Sequence, residues 1–478
     1  MLRRTALTAL GLGLILSAWV VGQPRMAGPD EADHYLKSVA SASGQWYGDK
    51  PTGVPKTYND RTARVFSVPE SQRVATGLPC FAFHPAIPAS CQRESSGQTT
   101  SASRTGSYAP FVYVVFGVPA RAAGGAHAGL FAARAGNALL ALVLLFGALW
   151  CAPNAAARLA VLLAAAPMTI FLSSIVNPNG PEVTGAIAFA AATFALLRDQ
   201  DRPALWAWWT FGGVVLCLSK TFGPGWAVLV LAAAAVLGGR AGVARVWAGA
   251  RRRLWAPLVV AVCASAQVAW TVLRMPSPGV SLADIRHQLR PALQGLPAYL
   301  WRGSIGVFGW LDVRLPMVFH IAVGIAVVVG TVLVLRVTTP RHRFVVAAWV
   351  VLTTAISVAV TAATQLALGF GGGQARFTFA LVAVLPLLIA AGVRSWDVSP
   401  KSRLAVLGAF AVLQLVAWWW DARRYAVGVK GPHLFLRHPT WSPSGGWGFP
   451  LAALVVGLAI VLVSEGRALP VRAEALSE

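Results

Sequence analysis

Apolar runs of about 17 to 22 residues recur along most of the chain, separated by short polar breaks. Each run is long enough to cross the roughly 30 Å hydrocarbon core of a bilayer as an α-helix. The runs predict an all-α polytopic membrane protein with about 11 to 13 transmembrane helices. They lie at about 5–22, 130–151, 157–176, 181–198, 204–220, 223–239, 255–273, 316–336, 344–366, 376–394, 403–420 and 448–464.

Composition supports the same class. Hydrophobic residues make up 56% of the 478 residues and charged residues 12%, whereas about a quarter of a soluble protein is charged. The formal net charge is +23. The arginines lie between apolar runs rather than on one basic face, so this charge does not indicate a nucleic-acid partner.

The first apolar run follows Arg3 and Arg4 and resembles a signal peptide. A small-x-small cleavage site is not evident in residues 17–22, so we expect an uncleaved signal anchor over residues 1–22, with a cleaved signal as the alternative. The rest divides into a long first extracytoplasmic loop (23–129), a multi-spanning bundle (130–466) and a cytoplasmic tail (467–478).

The first loop is rich in Pro, Gly, Ser and Thr, which predicts short helices and turns rather than a separately folded domain. Its apolar segment 108–113, YAPFVY, is too short to span comfortably and is expected to lie along the membrane interface. Cys80 and Cys91 are the only cysteines in this loop. In an oxidising compartment they are expected to form a disulfide, and two free thiols are the alternative.

The charge pattern predicts a plasma-membrane protein with both termini in the cytoplasm. Short loops on the predicted inner side contain arginine clusters such as residues 251–253, which the positive-inside rule favours. The predicted outer side is unusual because basic residues also lie near the outer ends of spans. They include Lys220, Arg286, Arg290 and Arg376.

An anionic ligand on the outer face would offset this unfavourable placement of charge. Phosphate or pyrophosphate of a lipid carrier fits, because arginine binds phosphate oxygens in a bidentate fork. The alternative is that individual side chains extend to lipid headgroups. If residues 282–296 form a helix, Arg286 and Arg290 share one face of it, which suits a segment that faces headgroups.

The most concentrated acidic stretch is PDEADH at residues 29–34, directly after the first apolar run. One interpretation is an ordinary helix start, where the helix dipole stabilises Asp30 and Glu31. The functional interpretation is a general base that takes the proton of an acceptor hydroxyl. On a helix His34 shares a face with these carboxylates. A carboxylate–histidine group can also hold a divalent cation that neutralises a leaving phosphate, but the residues are too sparse to assign a metal site.

Several motifs follow one another in order: PDEADH, YAPFVY, Arg134–Asn137 at a helix start, VNPNGPE ending at Glu182, SK at Lys220, FGWLD ending at Asp312 and GQARF at 373–377. This series resembles the membrane-protein family called domain of unknown function 2142, over nearly the whole chain. That family in turn resembles GT-C glycosyltransferases, multi-spanning enzymes that use polyprenyl-phosphate sugars. PDE-x-x-H is its most specific motif and is intact here, whereas Ala109 and Ala375 depart from the family's patterns.

The resemblance implies a GT-C-like bundle in which Asp30 or Glu31 is the base and His34, Lys220, Arg286, Arg290 and Arg376 contact the substrate. The expected reaction is an inverting transfer of a sugar from a polyprenyl-phosphate donor to a cell-envelope glycan acceptor, on the outer face and in contact with membrane lipids. The alternatives are a transporter or flippase of lipid-linked or cell-wall glycans, and a non-catalytic membrane scaffold. Convergence of the named carboxylates and cations on one outer site would favour the enzyme.

Overall fold

The computed structural model describes residues 2–53, 57–75, 77–94, 99–199, 201–277, 279–368, 373–392 and 398–467. The predicted tail at 467–478 therefore lies outside the described residues, apart from Arg467. The described chain is almost entirely helical. Its α-helices are α1 Leu2–Gly22, α2 Glu31–Ala42, α3 Tyr58–Thr62, α4 Phe111–Ala122, α5 Ala126–Cys151, α6 Ala155–Ala164, α7 Pro167–Ser174, α8 Asn179–Leu196, α9 Pro203–Ser219, α10 Gly223–Arg251, α11 Trp255–Arg274, α12 Leu282–Leu296, α13 Gly303–Gly306, α14 Met317–Arg336, α15 Pro340–Leu368, α16 Phe379–Ala391, α17 Pro400–Val427 and α18 Gly448–Gly466.

Short elements complete the fold. Single 3₁₀ turns occur at Glu70–Gln72, Ala89–Glu94, Ala375–Phe377 and Phe435–Arg437, and a π-helical turn occurs at Pro297–Arg302. Six two-residue strands form three separate antiparallel pairs, β1 with β4, β2 with β3 and β5 with β6. They are β1 Arg64–Val65, β2 Val74–Ala75, β3 Thr99–Thr100, β4 Ala102–Ser103, β5 Val307–Phe308 and β6 Val313–Arg314.

The long apolar helices confirm the prediction of a polytopic α-helical membrane protein. Within the described residues, eight helices are long and apolar enough to cross a bilayer: α1, α5, α10, α11, α14, α15, α17 and α18. The pair α6 and α7, bent by 56° at a short break, adds a ninth if it counts as one span. The remaining predicted runs correspond to α8, α9 and α16. Of these, α9 and α16 have only 17 and 13 residues, and α8 begins with a polar turn.

An ion-pair cluster shows which helix ends lie on the same side of the bundle. Arg4 near the start of α1 donates to Glu465 at the end of α18, with 2.8 Å between Nη2 and Oε2. Arg158 in α6 pairs with the same carboxylate, and Thr8 donates to it at 2.6 Å. The first helix therefore begins where the last helix ends, as an even number of crossings requires. That this side faces the cytoplasm stays a prediction.

The first loop folds against the bundle. Helices α2 and α4 pack on each other and on α5, around an apolar cluster that includes Tyr35, Phe66, Tyr113 and Phe116. The segment 108–113, expected at the interface, thus contributes the buried ring of Tyr113 and the partly buried ring of Tyr108 to this cluster. The predicted short helices and turns are present, and two of the strand pairs join them.

A disulfide joins Cys80 and Cys91, the pairing expected from the sequence. The disulfide closes a loop of residues 80–91, called the disulfide hairpin. Arg424 of α17 holds this loop on the bundle. This guanidinium donates to the carbonyl of Phe81 at 2.7 Å and to two further carbonyls of the hairpin, and it pairs with Asp312 at 2.6 Å. The arginine and the aspartate are almost fully buried, so the ion pair fixes the hairpin against the bundle.

The same region supports the turn that leads from α1 into α2. Trp310 donates its indole N–H to the carbonyl of Met26 at 3.0 Å, and Tyr425 donates its hydroxyl to the carbonyl of Ala27 at 3.3 Å. Phe81 of the disulfide hairpin packs in the same apolar cluster as these side chains. The turn before α2 is therefore fixed by hydrogen bonds from Trp310 and from Tyr425 of α17, and by packing against Phe81.

Candidate functional site

Asp30 stands at the N-terminal cap position of α2, in a left-handed backbone conformation with φ 59° and ψ 17°. Only a small fraction of residues other than glycine adopt this conformation, and aspartate and asparagine are enriched among them. The Asp30 side chain does not cap the helix. It is 36% exposed and points away from the helix end toward an arginine. The strained turn thus presents a carboxylate at the surface where the first loop meets the bundle.

The arginine that faces Asp30 is Arg376, in the 3₁₀ turn before α16. Its Nη2 lies 2.8 Å from Oδ2 of Asp30, and its Nη1 donates to the carbonyl of Pro29 at 3.3 Å. The Arg376 side chain is only 9% exposed. Its Nε is buried and donates no hydrogen bond to the described part of the chain. Residues 346 positions apart in the sequence thus meet on one side of the bundle.

Asn179, at the start of α8, links this arginine to a second cation. Its amide nitrogen donates to the carbonyl of Arg376 at 2.6 Å, and its amide oxygen accepts from Lys220 Nζ at 3.4 Å. Both cations also lie over the ring of Phe377, Lys220 at 5.1 Å and Arg376 at 5.5 Å from the ring centroid. Asn179 and Phe377 therefore hold two positive charges side by side next to Asp30.

Glu182 anchors the other side of Asn179. The carboxylate accepts from the Asn179 amide at 3.1 Å and from the indole of Trp226 in α10 at 2.9 Å. It lies in the first turn of α8, as its position in the sequence suggested, but it is buried within the site. The sequence indicated only a turn here, because nothing in NPNGPE reveals which distant cations its polar side chains contact.

Arg104, which the sequence did not single out, is a third cation at the site. It pairs with Asp33 through Nε at 2.9 Å and Nη2 at 2.8 Å, and its backbone N–H donates to the same carboxylate at 2.6 Å. Its Nη2 also lies 3.9 Å from Oδ1 of Asp30. The Arg104 side chain is 46% exposed, so it remains accessible from outside the protein.

The neighbouring carboxylate, Glu31, has a different environment. It accepts two hydrogen bonds from Arg134 of α5, at 2.8 and 2.7 Å, and neither side chain has any exposed surface. The backbone N–H groups of Val176 and Gly28 complete its partners, at 2.9 and 3.3 Å. A carboxylate enclosed in this way cannot reach an acceptor hydroxyl, so the geometry favours Asp30 over Glu31 as the base.

His34 lies next to Asp30 but faces inward. Its Nδ1 is 2.8 Å from the hydroxyl of Tyr113, and the two rings stack with centroids 5.8 Å apart. Burial lowers the pKa of His34 to about 3, against the opposing effect of the Asp30 charge, so the imidazole is neutral at neutral pH. A neutral, buried imidazole positions the α2 helix rather than adding a further cation for an anionic ligand.

Asp30 itself remains ionised. Burial is the largest single effect on its pKa and would raise it, but the charge and hydrogen bond of Arg376, together with the other positive charges nearby, outweigh burial and hold the pKa of Asp30 below its usual range. The charge of Arg104 acts in the same direction. The ionised Asp30 carboxylate therefore lies beside the guanidinium groups of Arg376 and Arg104, and Arg104 is also paired with Asp33.

Arg286 and Arg290 are not part of this cluster. Both are exposed on α12, where Leu282, Leu289 and Leu293 are exposed as well. The helix packs on α15 through Ala292. Residues 369–372, which precede the GQARF motif, fall outside the described residues. Among the residues that are described, no group of three His, Cys, Asp or Glu side chains is arranged to hold a metal ion.

The fold and the site define a polytopic α-helical membrane protein whose charged residues gather where the first loop meets the bundle. Residues 12–388 match the family model described as "Predicted membrane protein (DUF2142)", and the chain belongs to this family. The match extends from α1 into α16 and so includes every residue of the site. No curated protein and no solved structure matches the chain.

Proposed function

We propose that this protein is an integral-membrane glycosyltransferase of GT-C type. It moves a sugar from a polyprenyl-phosphate donor to a cell-envelope glycan acceptor on the side of the membrane where the first loop lies. Asp30 is the base, and Arg376 and Lys220 bind the donor phosphate, while Arg104 stays paired with Asp33. The acidic and basic residues that the sequence singled out for this chemistry, Asp30, Lys220 and Arg376, are neighbours in the fold.

The observation that carries the proposal is the partly exposed Asp30 carboxylate, 2.8 Å from Arg376 at the edge of the bundle. A lipid-linked donor brings its phosphate to the level of the headgroups, where this site would meet it. Two adjacent cations match the two negative charges of the released polyprenyl phosphate, and arginine adds the geometry of a bidentate fork. A scaffold protein needs no such cluster, because charged groups near a bilayer are costly unless they are used.

In the proposed reaction the acceptor hydroxyl oxygen attacks the anomeric carbon of the donor sugar. Asp30 takes the hydroxyl proton as the new carbon–oxygen bond forms. The bond between the anomeric carbon and the phosphate oxygen breaks, and both electrons leave with the polyprenyl phosphate. Arg376 and Lys220 stabilise the negative charge that develops on this phosphate. A single displacement inverts the configuration at the anomeric carbon, and one base is sufficient because phosphate is a good leaving group.

Mass spectrometry of polyprenyl-linked sugars and cell-envelope glycans in a deletion strain tests the proposal. We expect one polyprenyl-phosphate sugar to accumulate and the corresponding sugar to disappear from an envelope glycan. Restoring the gene should reverse both changes. Unchanged levels of every polyprenyl-phosphate sugar, together with an unchanged glycan, would reject the assignment as a glycosyltransferase.

A further inference from the structure

Arg376 has two charged neighbours of opposite sign. One is the Asp30 carboxylate, which it contacts through Nη2 at 2.8 Å. The other is the neighbouring cation Lys220, held beside it by Asn179 and Phe377. The ion pair with Asp30 does not use all of the donors of Arg376, because its buried Nε has no acceptor in the described chain. An anion bound by Arg376 would lie in the positive field of Lys220, which stands over the same Phe377 ring.

We infer that the ion pair between Asp30 and Arg376 is a gate controlled by the donor. When the donor phosphodiester binds the Arg376 guanidinium, the ion pair breaks and the Asp30 carboxylate becomes available as the base. This inference rests on the proposed function and adds a form of regulation to the same site. Without donor, Arg376 lowers the basicity of Asp30. With donor bound, the guanidinium charge is shared with the phosphate, and the carboxylate regains its affinity for a proton.

The backbone around the site suits such an exchange. The carbonyl of Arg376 is fixed by Asn179 at 2.6 Å, so the guanidinium can turn while its main chain stays in place. Asp30 is 36% exposed and retains Arg104 near its other oxygen, at 3.9 Å, when Arg376 turns away. The carboxylate thus does not become an isolated buried charge.

The gate has a chemical consequence. Without donor the site contains no electrophile, and Arg376 keeps the Asp30 carboxylate weakly basic. If Asp30 becomes basic only when the donor phosphate occupies Arg376, the base and the electrophile are assembled at the same time. The acceptor proton then moves to Asp30, and the charge on the leaving phosphate stays with Arg376 and Lys220.

Binding of a donor mimic to the full-length protein tests the gate without a transfer assay. The probe is methyl farnesyl phosphate, a phosphodiester whose single negative charge is constant between pH 5 and 9. We expect Asp30→Asn to bind this probe about tenfold more tightly than the wild type, because the phosphate no longer competes with a carboxylate for Arg376. Asparagine tolerates the left-handed backbone at this position, so the variant is expected to fold. Asp30→Gly should give the same result.

Asp33→Asn is the matched control, since it removes an equal charge nearby but from the partner of Arg104. We expect its affinity for the probe to stay within about threefold of the wild type. Equal tightening in the Asp30 and Asp33 variants, or no tightening in the Asp30 variants, would overturn the gate while leaving the phosphate site in place. If Arg376→Gln binds as well as the wild type, or if no variant binds the probe, the phosphate site itself fails and the proposed function fails with it.

Discussion

The contrast between two adjacent carboxylates gives the sharpest structural prediction. Glu31→Gln should destabilise the fold, whereas Asp30→Asn should not. Glu31 and Arg134 form a bidentate ion pair in which neither side chain has exposed surface. The substitution leaves the Arg134 guanidinium buried without a counter-charge, and such a loss costs about 3 to 5 kcal/mol.

This cost is large compared with the stability of the whole fold, which is about 5 to 15 kcal/mol for typical proteins. Asp30 is 36% exposed, and solvent screens its ion pair, so Asp30→Asn should cost less than about 1 kcal/mol. The two variants differ from the wild type by the same chemical change, from carboxylate to amide, at neighbouring positions. Any difference between them therefore reflects the environment of each side chain.

Unfolding of the purified full-length chain in mixed detergent micelles, titrated with sodium dodecyl sulfate, measures both costs. Arg134→Gln is the reciprocal variant and should lose a similar amount of stability. A Glu31→Gln protein that is as stable as the wild type and yet inactive would refute the reasoning, because it would return Glu31 to the role of base. If either carboxylate could be the base, as the resemblance implies, both variants would insert normally and lose transfer.

Two further perturbations test other parts of the structure. The pKa of His34 is lowered to about 3 in the fold, against about 6.5 when unfolded. The unfolded chain therefore binds the extra proton between these values, and His34 should reduce stability by up to about 1.4 kcal/mol per pH unit as pH falls below about 6.5. His34→Gln should flatten that slope in unfolding titrations at pH 4 to 7, and an unchanged slope would contradict the buried neutral imidazole. Replacing Cys80 and Cys91 with serine removes a disulfide between residues 11 positions apart in the sequence. This loss should lower the free energy of unfolding by about 3 kcal/mol. It should also expose the hairpin to limited proteolysis, and a protease pattern equal to that of the wild type would show that Arg424 alone holds it.

Much of the fold could be predicted, because apolar runs of bilayer length leave little choice but membrane helices. The side of each polar loop followed from counting crossings, which is why Asp30, Lys220 and Arg376 were expected on one face. The number of membrane-spanning helices was harder to predict from the sequence. Helices α8, α9 and α16 are short or begin with polar residues, and the runs around them look continuous only when hydropathy is averaged along the sequence.

The details of the site depended on tertiary contacts that no local pattern reveals. Asp30 and Glu31 are adjacent in the sequence and equally suited to a first helical turn. They are distinguished by the positive φ of Asp30 and by the Arg134 side chain that encloses Glu31. Arg104 was missed because it lies in a polar loop without a motif, and only the position of β4 brings it to Asp33.

Asn179 shows the same limitation in another form. Its sequence, NPNGPE, is a turn by composition, and the structure does place it at a helix start. Its contacts to Arg376 and Lys220 arise because the start of α8, the end of α9 and the turn before α16 meet in the fold. Arg286 and Arg290 share the face predicted for them on α12 but lie apart from the other candidate residues.

The most direct test of the account is the rate at which reconstituted protein, supplied with the envelope glycan acceptor, releases polyprenyl phosphate from the donor that accumulates in a deletion strain. A general base contributes about a hundredfold to ten-thousandfold, so Asp30→Asn should lower this rate at least about a hundredfold while still binding methyl farnesyl phosphate. Asp201→Asn, which removes an exposed carboxylate paired with Arg252 at the opposite end of the bundle, should release polyprenyl phosphate at the wild-type rate. Release by the Asp30→Asn protein within a few-fold of the wild-type rate would contradict the account.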